Sequence, residues 1–415
     1  MNREVVIIAG KDPENQTGGH SSFVRATARA AMALGYEPHI FCAAAKGGIT
    51  ETDYGMIHKV RSPLKSFRQI TLPLNGPLIT RHLINYLKDK PGPHLIHSIN
   101  AWGYIGSAVK KNLKLRGIEV VHIVNSYDTM DHEARGKLQG LRLAHGIGKW
   151  ISNYAQYFWI KIVVENYERR AFTEADALLV NYDSVRRLLI DRYGADLNIH
   201  KVTYSPETEF LKKTSPDLEE IGQTGKVISA LKPPNAPLIV SISRHDPRKG
   251  MDMLSRALAK LNAAGAEFRA CLLSGGPLLS AHTKLSEVLQ LGATTIITGW
   301  VANPMHFLEK GDIFVLPSLE EGSGSVSLLE AMQAGRCIVA SNIDGIPEDI
   351  SDGYDGLLCS PNDDESLAEK LTLAIQDQSL RDSLGRNAHN SFELRFSADA
   401  FVKNLKIIYG QFGFH

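Results

Sequence analysis

The sequence predicts an α/β protein made of two doubly wound domains, and three observations lead to this prediction. Short apolar, β-branched runs that end in Gly, Ser, Asn or His recur along the chain, and segments with helical periodicity separate them. Such runs are typical of buried parallel strands, and their alternation with helices indicates βαβ units. With 415 residues, 43% of them hydrophobic, the chain is long enough for two to three domains.

The predicted strands form two sets, one in each half of the chain. They are residues 5–9, 38–42, 95–98, 120–124 and 177–180, and then 238–242, 269–273, 295–297, 313–316 and 337–340. Helical periodicity is plainest at residues 21–34, 251–264 and 327–334. Because ligands bind at the carboxyl ends of such strands, we expect the active site in a cleft between two facing domains.

The densest run of proline and polar residues separates the two sets of strands. We therefore predict a first doubly wound domain over residues 1–205, a linker over 206–236 and a second doubly wound domain over 237–397. A periodic segment over 398–415 is predicted to form a C-terminal helix, with packing against the N-terminal domain as one option.

One segment, residues 126–170, departs from this pattern. It contains the aromatic-rich run KWISNYAQYFWIKIVVENYERR. We predict a long core helix with an aromatic face. The alternative is a helix that contacts a membrane surface or an acceptor, which the nearby Lys149, Lys161, Arg169 and Arg170 would favour.

Charge and cysteine content exclude several classes of protein. Lys and Arg total 46 against 45 Asp and Glu, whereas a nucleic-acid-binding domain is normally strongly basic. The four cysteines form no C-x-x-C pair, which indicates a reducing compartment and no zinc site. The apolar run near the N-terminus is too short for a signal-peptide core, and no stretch predicts a membrane span. We expect a cytoplasmic protein, with peripheral contact at the inner membrane face as an option.

The segment LIVSISRHDPRKG, residues 238–250, places two cations where a strand ends and a helix begins. Arg244 follows the strand, and Lys249 with Gly250 opens the helix. Cations beside a helix N-terminus suit a diphosphate and would stabilise charge on a departing phosphate. For this segment alone, a surface loop with scattered basic residues explains the pattern equally well.

A second segment, residues 313–349, contains a loop of small residues between a strand and a helix. Such residues let backbone N–H groups approach a ligand closely. The loop and the start of its helix comprise Gly322, Ser323, Gly324, Ser325 and Val326. Glu320 or Glu321 before it and Glu330 on the helix are acceptors suited to sugar hydroxyls.

Together these segments resemble the retaining nucleotide-sugar glycosyltransferases of family 4, which have the two-domain GT-B fold. The family pattern of Arg, four residues and Lys-Gly is present as Arg244 and Lys249-Gly250. The second block is present as Pro317-Ser318, Glu321-Gly322, Leu329-Glu330-Ala331-Met332, Ala334-Gly335 and Gly345-Ile346-Pro347-Glu348. Eight residues separate Glu321 from Glu330, where the family usually has seven. Ser323 stands where a bulky residue is usual.

The resemblance implies a role for each matching residue. Arg244 and Lys249 would hold the donor diphosphate and stabilise the leaving nucleotide, and Glu330 would accept from the ribose hydroxyls. Glu321 and the backbone of residues 322–325 would face the donor sugar, while Val301 and its neighbours would flank the base. The family retains the anomeric configuration with help from the donor phosphate, so no protein nucleophile is required.

The N-terminal half resembles the family more loosely. The resemblance implies that residues 1–205 form the acceptor-binding domain and residues 237–397 the nucleotide-sugar-binding domain. Gly18 and Gly19 correspond to a Gly-Gly loop near the donor, although a flexible loop also explains them. His97 ends a strand where the family often has His, although a structural histidine is the alternative. Asn125 stands in place of the family's usual His, and Asp128 lies just beyond it in a charged loop. We predict that His97, Asn125 and Asp128 contact the acceptor or a sugar.

Other chemistries fit the sequence less well. The first turn, AGKDPENQTGGHS, lacks the Gly-x-Gly-x-x-Gly spacing of a nicotinamide-dependent dehydrogenase. The chain has no Asp-x-Asp triplet of the kind expected in metal-dependent glycosyltransferases, so we expect no required metal or cofactor.

The sequence thus predicts a retaining transferase that moves a hexose from a nucleoside-diphosphate sugar, with UDP as the expected nucleotide. The acceptor would be a sugar, a polysaccharide, a lipid-linked saccharide or a natural product. Two alternatives stay open: a nucleotide-sugar-binding protein without transfer activity, and a sugar-nucleotide epimerase of the same fold.

Overall fold

The structure, a computed structural model, describes residues 4–14, 19–64, 69–127, 129–138, 147–210, 218–301, 303–321 and 324–415. The chain forms two compact units. The first comprises Met1–Phe210 with Ala398–His415, and the second comprises Leu211–Ser397. Each unit is an α/β layer structure with a mostly parallel sheet, so the predicted fold class is confirmed.

The first unit contains an eight-stranded sheet in the order β3-β4-β2-β1-β5-β6-β7-β8. Its strands are β1 (Glu4–Lys11), β2 (Glu37–Ala44), β3 (Gly48–Thr52), β4 (Gly55–Arg61), β5 (His94–Ile99), β6 (Val120–Ser126), β7 (Ala177–Val180) and β8 (Ile199–Lys201). All neighbouring strands pair in parallel except β3 and β4, which form an antiparallel hairpin at the sheet edge. The interior residues of β1, Val5–Ala9, are at most 1% exposed because helices cover both faces of the sheet.

The helices of the first unit are α1 (Gly19–Ala33), α2 (Leu72–Leu87), α3 (Gly103–Lys114), α4 (Met130–Leu138), α5 (Ile147–Trp159), α6 (Glu165–Thr173) and α7 (Asp183–Tyr193). A π-helical segment, Ile160–Val164, joins α5 to α6. Short 3-10 turns lie at Gln69–Thr71, Asn100–Trp102 and Glu207–Phe210. Among the described residues, no helix is long and apolar enough to cross a membrane.

The second unit contains a six-stranded parallel sheet in the order β11-β10-β9-β12-β13-β14. Its strands are β9 (Leu238–Ile242), β10 (Arg269–Leu273), β11 (Thr295–Gly299), β12 (Ile313–Leu316), β13 (Cys337–Ser341) and β14 (Leu357–Cys359). Its helices are α8 (Leu218–Ser229), α9 (Met251–Ala263), α10 (Leu279–Val288), α11 (Met305–Lys310), α12 (Val326–Gln333), α13 (Ile346–Asp349), α14 (Asp364–Gln376) and α15 (Gln378–Arg395). The predicted linker, residues 206–236, therefore contains α8.

The last helix, α16 (Ala398–Gln411), belongs to the first unit. Its apolar face is buried, and the ring of Phe401 lies 6.3 Å from that of Phe23 on α1. The ring of Tyr409 lies 5.8 Å from that of Tyr36. The chain thus returns to its first unit after completing the second.

The predicted long helix is confirmed for the aromatic-rich run, because α5, the π-helical segment and α6 follow one another without a break from Ile147 to Thr173. The prediction that its aromatic face lies in the core is wrong. The described residues there form α4, α5, the π-helical segment and α6. Trp150, Phe158 and Trp159 are 39%, 54% and 38% exposed, whereas Ile160 and Val164 reach the core. Helical periodicity indicates a stripe of aromatic residues, but it does not say which side of the helix faces the core.

Candidate active site

The predicted donor residues of the second unit follow the carboxyl ends of strands in one parallel sheet. Arg244 and Lys249 follow β9, Val301 follows β11, and Glu321 follows β12. β9 and β12 are neighbours in the sheet. Since carboxyl ends of parallel strands share one edge, the fold brings these loops to the edge where ligands bind in such sheets.

Backbone contacts join the loop after β9 to the loop after β12. The carbonyl oxygen of Arg248 accepts from the backbone N–H of Leu319 at 2.7 Å and of Glu320 at 3.2 Å. Gly250 has a φ of +59°, and a Cβ at this position would lie 1.9 Å from the carbonyl oxygen of Pro317. Only glycine permits this approach, which explains the Gly after Lys249.

The joined loops place Lys249 against Glu321. The Nζ of Lys249 lies 2.5 Å from Oε1 of Glu321, whose side chain is only 2% exposed. Ser318 Oγ donates to the same oxygen at 2.5 Å, and the backbone N–H of Glu321 donates to Asp344 Oδ2 at 2.7 Å. The structure therefore brings together two of the three predicted catalytic residues. Sequence reasoning missed the supporting roles of Ser318 and Asp344, which depend on contacts that no local pattern indicates.

Arg244, the third predicted catalytic residue, presents a free cation. Its side chain is exposed and makes no hydrogen bond or ion pair with any described residue. An exposed guanidinium after a strand end is available to form paired hydrogen bonds with phosphate oxygens.

Glu330, in the second turn of α12, is an acceptor without a partner among the described residues. Its carboxylate makes no hydrogen bond or ion pair in the described part of the chain, and burial raises its pKa from 4.5 to about 7. Removing a carboxylate from water without a compensating partner disfavours its charged form. Ligand hydroxyls that donate to Glu330 would supply the missing partners.

Ser325 is the N-cap of α12. Its Oγ accepts from the backbone N–H of Leu328 at 3.4 Å and lies 2.9 Å from Oγ of Ser327. Ser327 Oγ in turn donates to the carbonyl oxygen of Ile242 at the end of β9, at 2.9 Å. Gly324 adopts a φ of +87°, and Val326 is the first residue of the helix. This network fixes the N-terminus of α12 beside β9. Gly322 and Ser323 lie outside the described residues.

The residue after Arg244 belongs to a histidine pair. His245 is fully buried, and its Nδ1 lies 2.8 Å from Nδ1 of His282 on α10. Burial lowers the pKa of both rings, that of His245 to about 4, so His245 is neutral at ordinary pH. Arg244 is thus followed directly by a buried, neutral histidine, which sequence reasoning did not identify.

The predicted residues of the first unit have mixed placements. Gly19 is the first residue of α1, while Gly18 and Asp128 lie outside the described residues. His97 is fully buried between Asn125 and Tyr409: its Nε2 bonds to Asn125 Oδ1, and its Nδ1 lies 2.9 Å from the hydroxyl of Tyr409. With both ring nitrogens occupied, a role for His97 in acceptor binding would be indirect, through the position of Asn125.

Among the described residues, no three His, Cys, Asp or Glu side chains lie close enough together to hold a metal ion.

Comparison with known proteins identifies the family. The family model described as "Glycosyl transferases group 1" matches residues 226–391, and that described as "Glycosyltransferase Family 4" matches residues 17–203. An uncharacterised glycosyltransferase of Methanocaldococcus jannaschii is 30% identical over 366 residues, which cover 85% of this chain and 84% of that protein. The chain belongs to the family 4 glycosyltransferases. It is therefore an enzyme of sugar transfer, and the family resemblance found in the sequence is confirmed.

Other relatives of this glycosyltransferase share part of its length. An N,N'-diacetylbacillosaminyl-diphospho-undecaprenol α-1,3-N-acetylgalactosaminyltransferase of Campylobacter jejuni is 35% identical over 152 residues. That match covers 37% of this chain and 39% of the relative, so the chain spans well under half of that protein.

Solved structures share the fold. Sucrose-phosphate synthase from Thermosynechococcus elongatus superposes with a TM-score of 0.76 at 17% identity, covering 99% of both chains. HepE from Anabaena in complex with UDP-glucose gives a TM-score of 0.68 at 14% identity, covering 98% of this glycosyltransferase and 99% of that chain. At such low identity these similarities establish the GT-B fold alone.

Proposed function

We propose that this glycosyltransferase transfers a hexose from a UDP-sugar to a carbohydrate or lipid-linked acceptor with retention of the anomeric configuration. One observation carries the proposal: Arg244 and Lys249 follow one strand of the second sheet, and Arg244 and the acceptor Glu330 have no side-chain partner among the described residues. Two cations suit a diphosphate, and an unpartnered carboxylate suits ribose hydroxyls.

In this proposal the two cations contribute most when the bond between sugar and phosphate breaks. Negative charge then grows on the departing diphosphate, so Arg244 and Lys249 stabilise the transition state more than the bound donor. The carboxylate of Glu321 holds Lys249 in place, at 2.5 Å. Since two side-chain cations supply this stabilisation, the proposal includes transfer without a metal ion.

Support for the donor and acceptor comes from named relatives. HepE was solved with UDP-glucose, and the Campylobacter relative is named for a diphospho-undecaprenol acceptor. We carry over the UDP-sugar donor and the range of sugar, polysaccharide, lipid-linked and natural-product acceptors as parts of the proposal.

The test is a screen of nucleoside-diphosphate sugars, scored by release of nucleoside diphosphate first without and then with candidate acceptors. The expected result is UDP release that rises when an acceptor is added and that persists in EDTA. Binding of UDP without release from any donor would favour a binding protein. Interconversion of the sugar without an acceptor would favour an epimerase. For the productive pair, NMR of the glycosidic linkage should show the anomeric configuration of the donor.

A further inference from the structure

Two stretches of the first unit contain no acidic residue, although the chain as a whole is balanced. Residues 54–88 and 134–164 hold no Asp or Glu, against 45 such residues in the whole sequence. They hold eleven basic residues: Lys59, Arg61, Lys65, Arg68, Arg81, Lys88, Arg135, Lys137, Arg142, Lys149 and Lys161. The sequence thus concentrates positive charge in two separate segments.

The fold brings helices from these two stretches together. Leu72 and Ile79 of α2 pack in the same hydrophobic cluster as Ile160 and Val164 of the π-helical segment. At the junction, the indole Nε1 of Trp159 donates to the carbonyl oxygen of Ile70 at 2.8 Å. The inner sides of the two elements therefore share one core, and Trp159 links the end of α5 to the 3-10 turn that precedes α2.

The outer sides carry large apolar side chains in contact with solvent. They are Leu74 and Leu78 on α2, Trp150, Ile151, Phe158 and Trp159 on α5, and Ile162 on the π-helical segment. These are seven of the seventeen large hydrophobic side chains that are exposed in the described part of the protein. We call these seven residues the docking face. Soluble monomers rarely expose so many neighbouring apolar groups without an interaction partner.

Charge indicates which partner covers the docking face. Arg61 and Arg81, in the first acid-free stretch, are exposed and form no ion pair with the described residues. Lys59, Arg135 and Lys161 pair with Asp131, Glu165 or Asp12, all of which lie outside the two stretches. An interfacial amphipathic helix typically combines exposed Trp, Phe, Leu and Ile with basic residues and few acidic ones. The two acid-free stretches have this composition. Protein interfaces, in contrast, are depleted in Lys.

We propose that the docking face binds the surface of an anionic lipid bilayer. The apolar side chains would enter the region between headgroups and acyl chains, and the exposed Arg61 and Arg81 would lie against anionic headgroups. This inference deepens the proposed function, because a bilayer surface would present a lipid-linked acceptor to the enzyme. Only the biological role of the membrane contact rests on the proposed function. Its test measures binding without sugar transfer, so either proposal can fail alone.

The test is co-sedimentation of the full chain with phosphatidylcholine vesicles that contain or lack phosphatidylglycerol. We expect binding only to the anionic vesicles and weakening as salt rises. The variant Phe158→Glu/Ile162→Glu should bind at least about tenfold more weakly, because two charges would enter the apolar layer. Arg81→Glu should lose several-fold, because it reverses one charge near the headgroups. The matched control is Leu115→Glu/Leu394→Glu, at positions that are 83% and 81% exposed and lie outside both stretches.

Several outcomes would overturn the proposal. One is equal binding to both kinds of vesicle, and another is an equal loss in the control variant. A third is a dimer of the wild-type chain in solution that Phe158→Glu/Ile162→Glu dissociates, since the docking face would then be covered by a second copy. If the glutamate variant fails to fold, the comparison of wild-type binding to anionic and neutral vesicles still tests the proposal.

Discussion

At the residue scale, the carboxylates of the candidate site differ sharply in their surroundings. The side chain of Glu321 is buried, but its carboxylate accepts from the Lys249 ammonium and the Ser318 hydroxyl, and its backbone N–H donates to Asp344. Glu330 is partly buried without any such partner among the described residues, and its pKa rises to about 7. The Glu321 carboxylate is therefore already held by protein contacts. Ionising Glu330 instead costs free energy, and hydrogen bonds from a ligand can offset that cost.

The raised pKa of Glu330 predicts how stability depends on pH. Its pKa is about 7 in the folded protein against 4.5 as an ordinary glutamate, so the folded state binds the proton more tightly. Stability is therefore lost as pH rises from about 5 through about 7, and above that the loss is constant. We expect Glu330→Gln to be more stable than the wild type by about 2 kcal/mol at about pH 8 and nearly equal at about pH 5.

Urea unfolding at both pH values measures this difference. The matched control is Glu267→Gln, because Glu267 is exposed and has no resolved contact in the same unit. A pH-independent difference for Glu330→Gln, or the same pH dependence in Glu267→Gln, would contradict the assignment.

At the element scale, the site depends on how closely two strand-end loops approach each other. Gly250 lies at the point of closest approach, where a side chain would collide with the backbone of Pro317. The consequence is that Lys249 and Glu321, which are distant in sequence, meet at 2.5 Å. The glycine is thus as necessary to the ion pair as the charged residues are.

The variant Gly250→Ala should therefore destabilise the second unit by at least about 3 kcal/mol, because strain at positive φ adds to a backbone collision. The control is Gly265→Ala, which has a similar φ of +75° but nothing within 4 Å of the new Cβ. The control variant should lose only about 1 kcal/mol of unfolding free energy, because conformational strain is its only cost. The shift in urea midpoint measures both, and equal losses would show that the contact with Pro317 does not matter.

How much of the fold could be predicted follows from the length and burial of each element. All ten predicted strands form, and four of them, β7, β9, β10 and β12, have the predicted bounds. Those strands are buried on both faces and read as uninterrupted apolar runs. The prediction omitted β3, β4, β8 and β14. β8 and β14 have three residues each, and β3 is a half-exposed edge strand without an apolar run.

The candidate site was predictable where the family motif fixes a residue, and not where a distant contact does. Motif spacing predicted four residues of the site: Arg244, Lys249, Glu321 and Glu330. The structure places the first three after strands of the second sheet and Glu330 on α12. Asp344 lies 23 residues beyond Glu321 and binds its backbone only because β13 neighbours β12. Likewise, the partner of His97 is Tyr409, 312 residues away, which no local pattern could indicate.

At the scale of the whole molecule, the end of the chain is built into its first unit. Burial lowers the pKa of His97 to about 4, so its ring is neutral. Asn125 Oδ1 can only accept, so Nε2 of His97 carries the proton and Nδ1 accepts from the hydroxyl of Tyr409 on α16. A strand-end histidine thus ties the C-terminal helix to the central sheet of the first unit.

This connection predicts that Tyr409→Phe costs about 2 kcal/mol, because the buried Nδ1 of His97 loses its donor. Tyr36→Phe is the matched control, since the hydroxyl of Tyr36 is buried without a hydrogen-bond partner among the described residues and its ring packs against Tyr409. Removing that hydroxyl should be neutral or stabilising. Thermal unfolding compares the two, and a loss in Tyr36→Phe as large as that in Tyr409→Phe would contradict the role of the His97 bond.

The central claim is that Arg244 and Lys249 hold the diphosphate of the donor. The most direct measurement is the affinity for UDP, by isothermal titration calorimetry, of Arg244→Ala, Lys249→Ala and Arg248→Ala. Arg248 lies in the same loop with a 48% exposed side chain, and its contacts to the second loop use only its backbone. We predict that each of the first two variants binds at least about tenfold more weakly, while Arg248→Ala stays within about twofold of the wild type. Wild-type affinity in Arg244→Ala and Lys249→Ala, or an equal loss in Arg248→Ala, would contradict the claim.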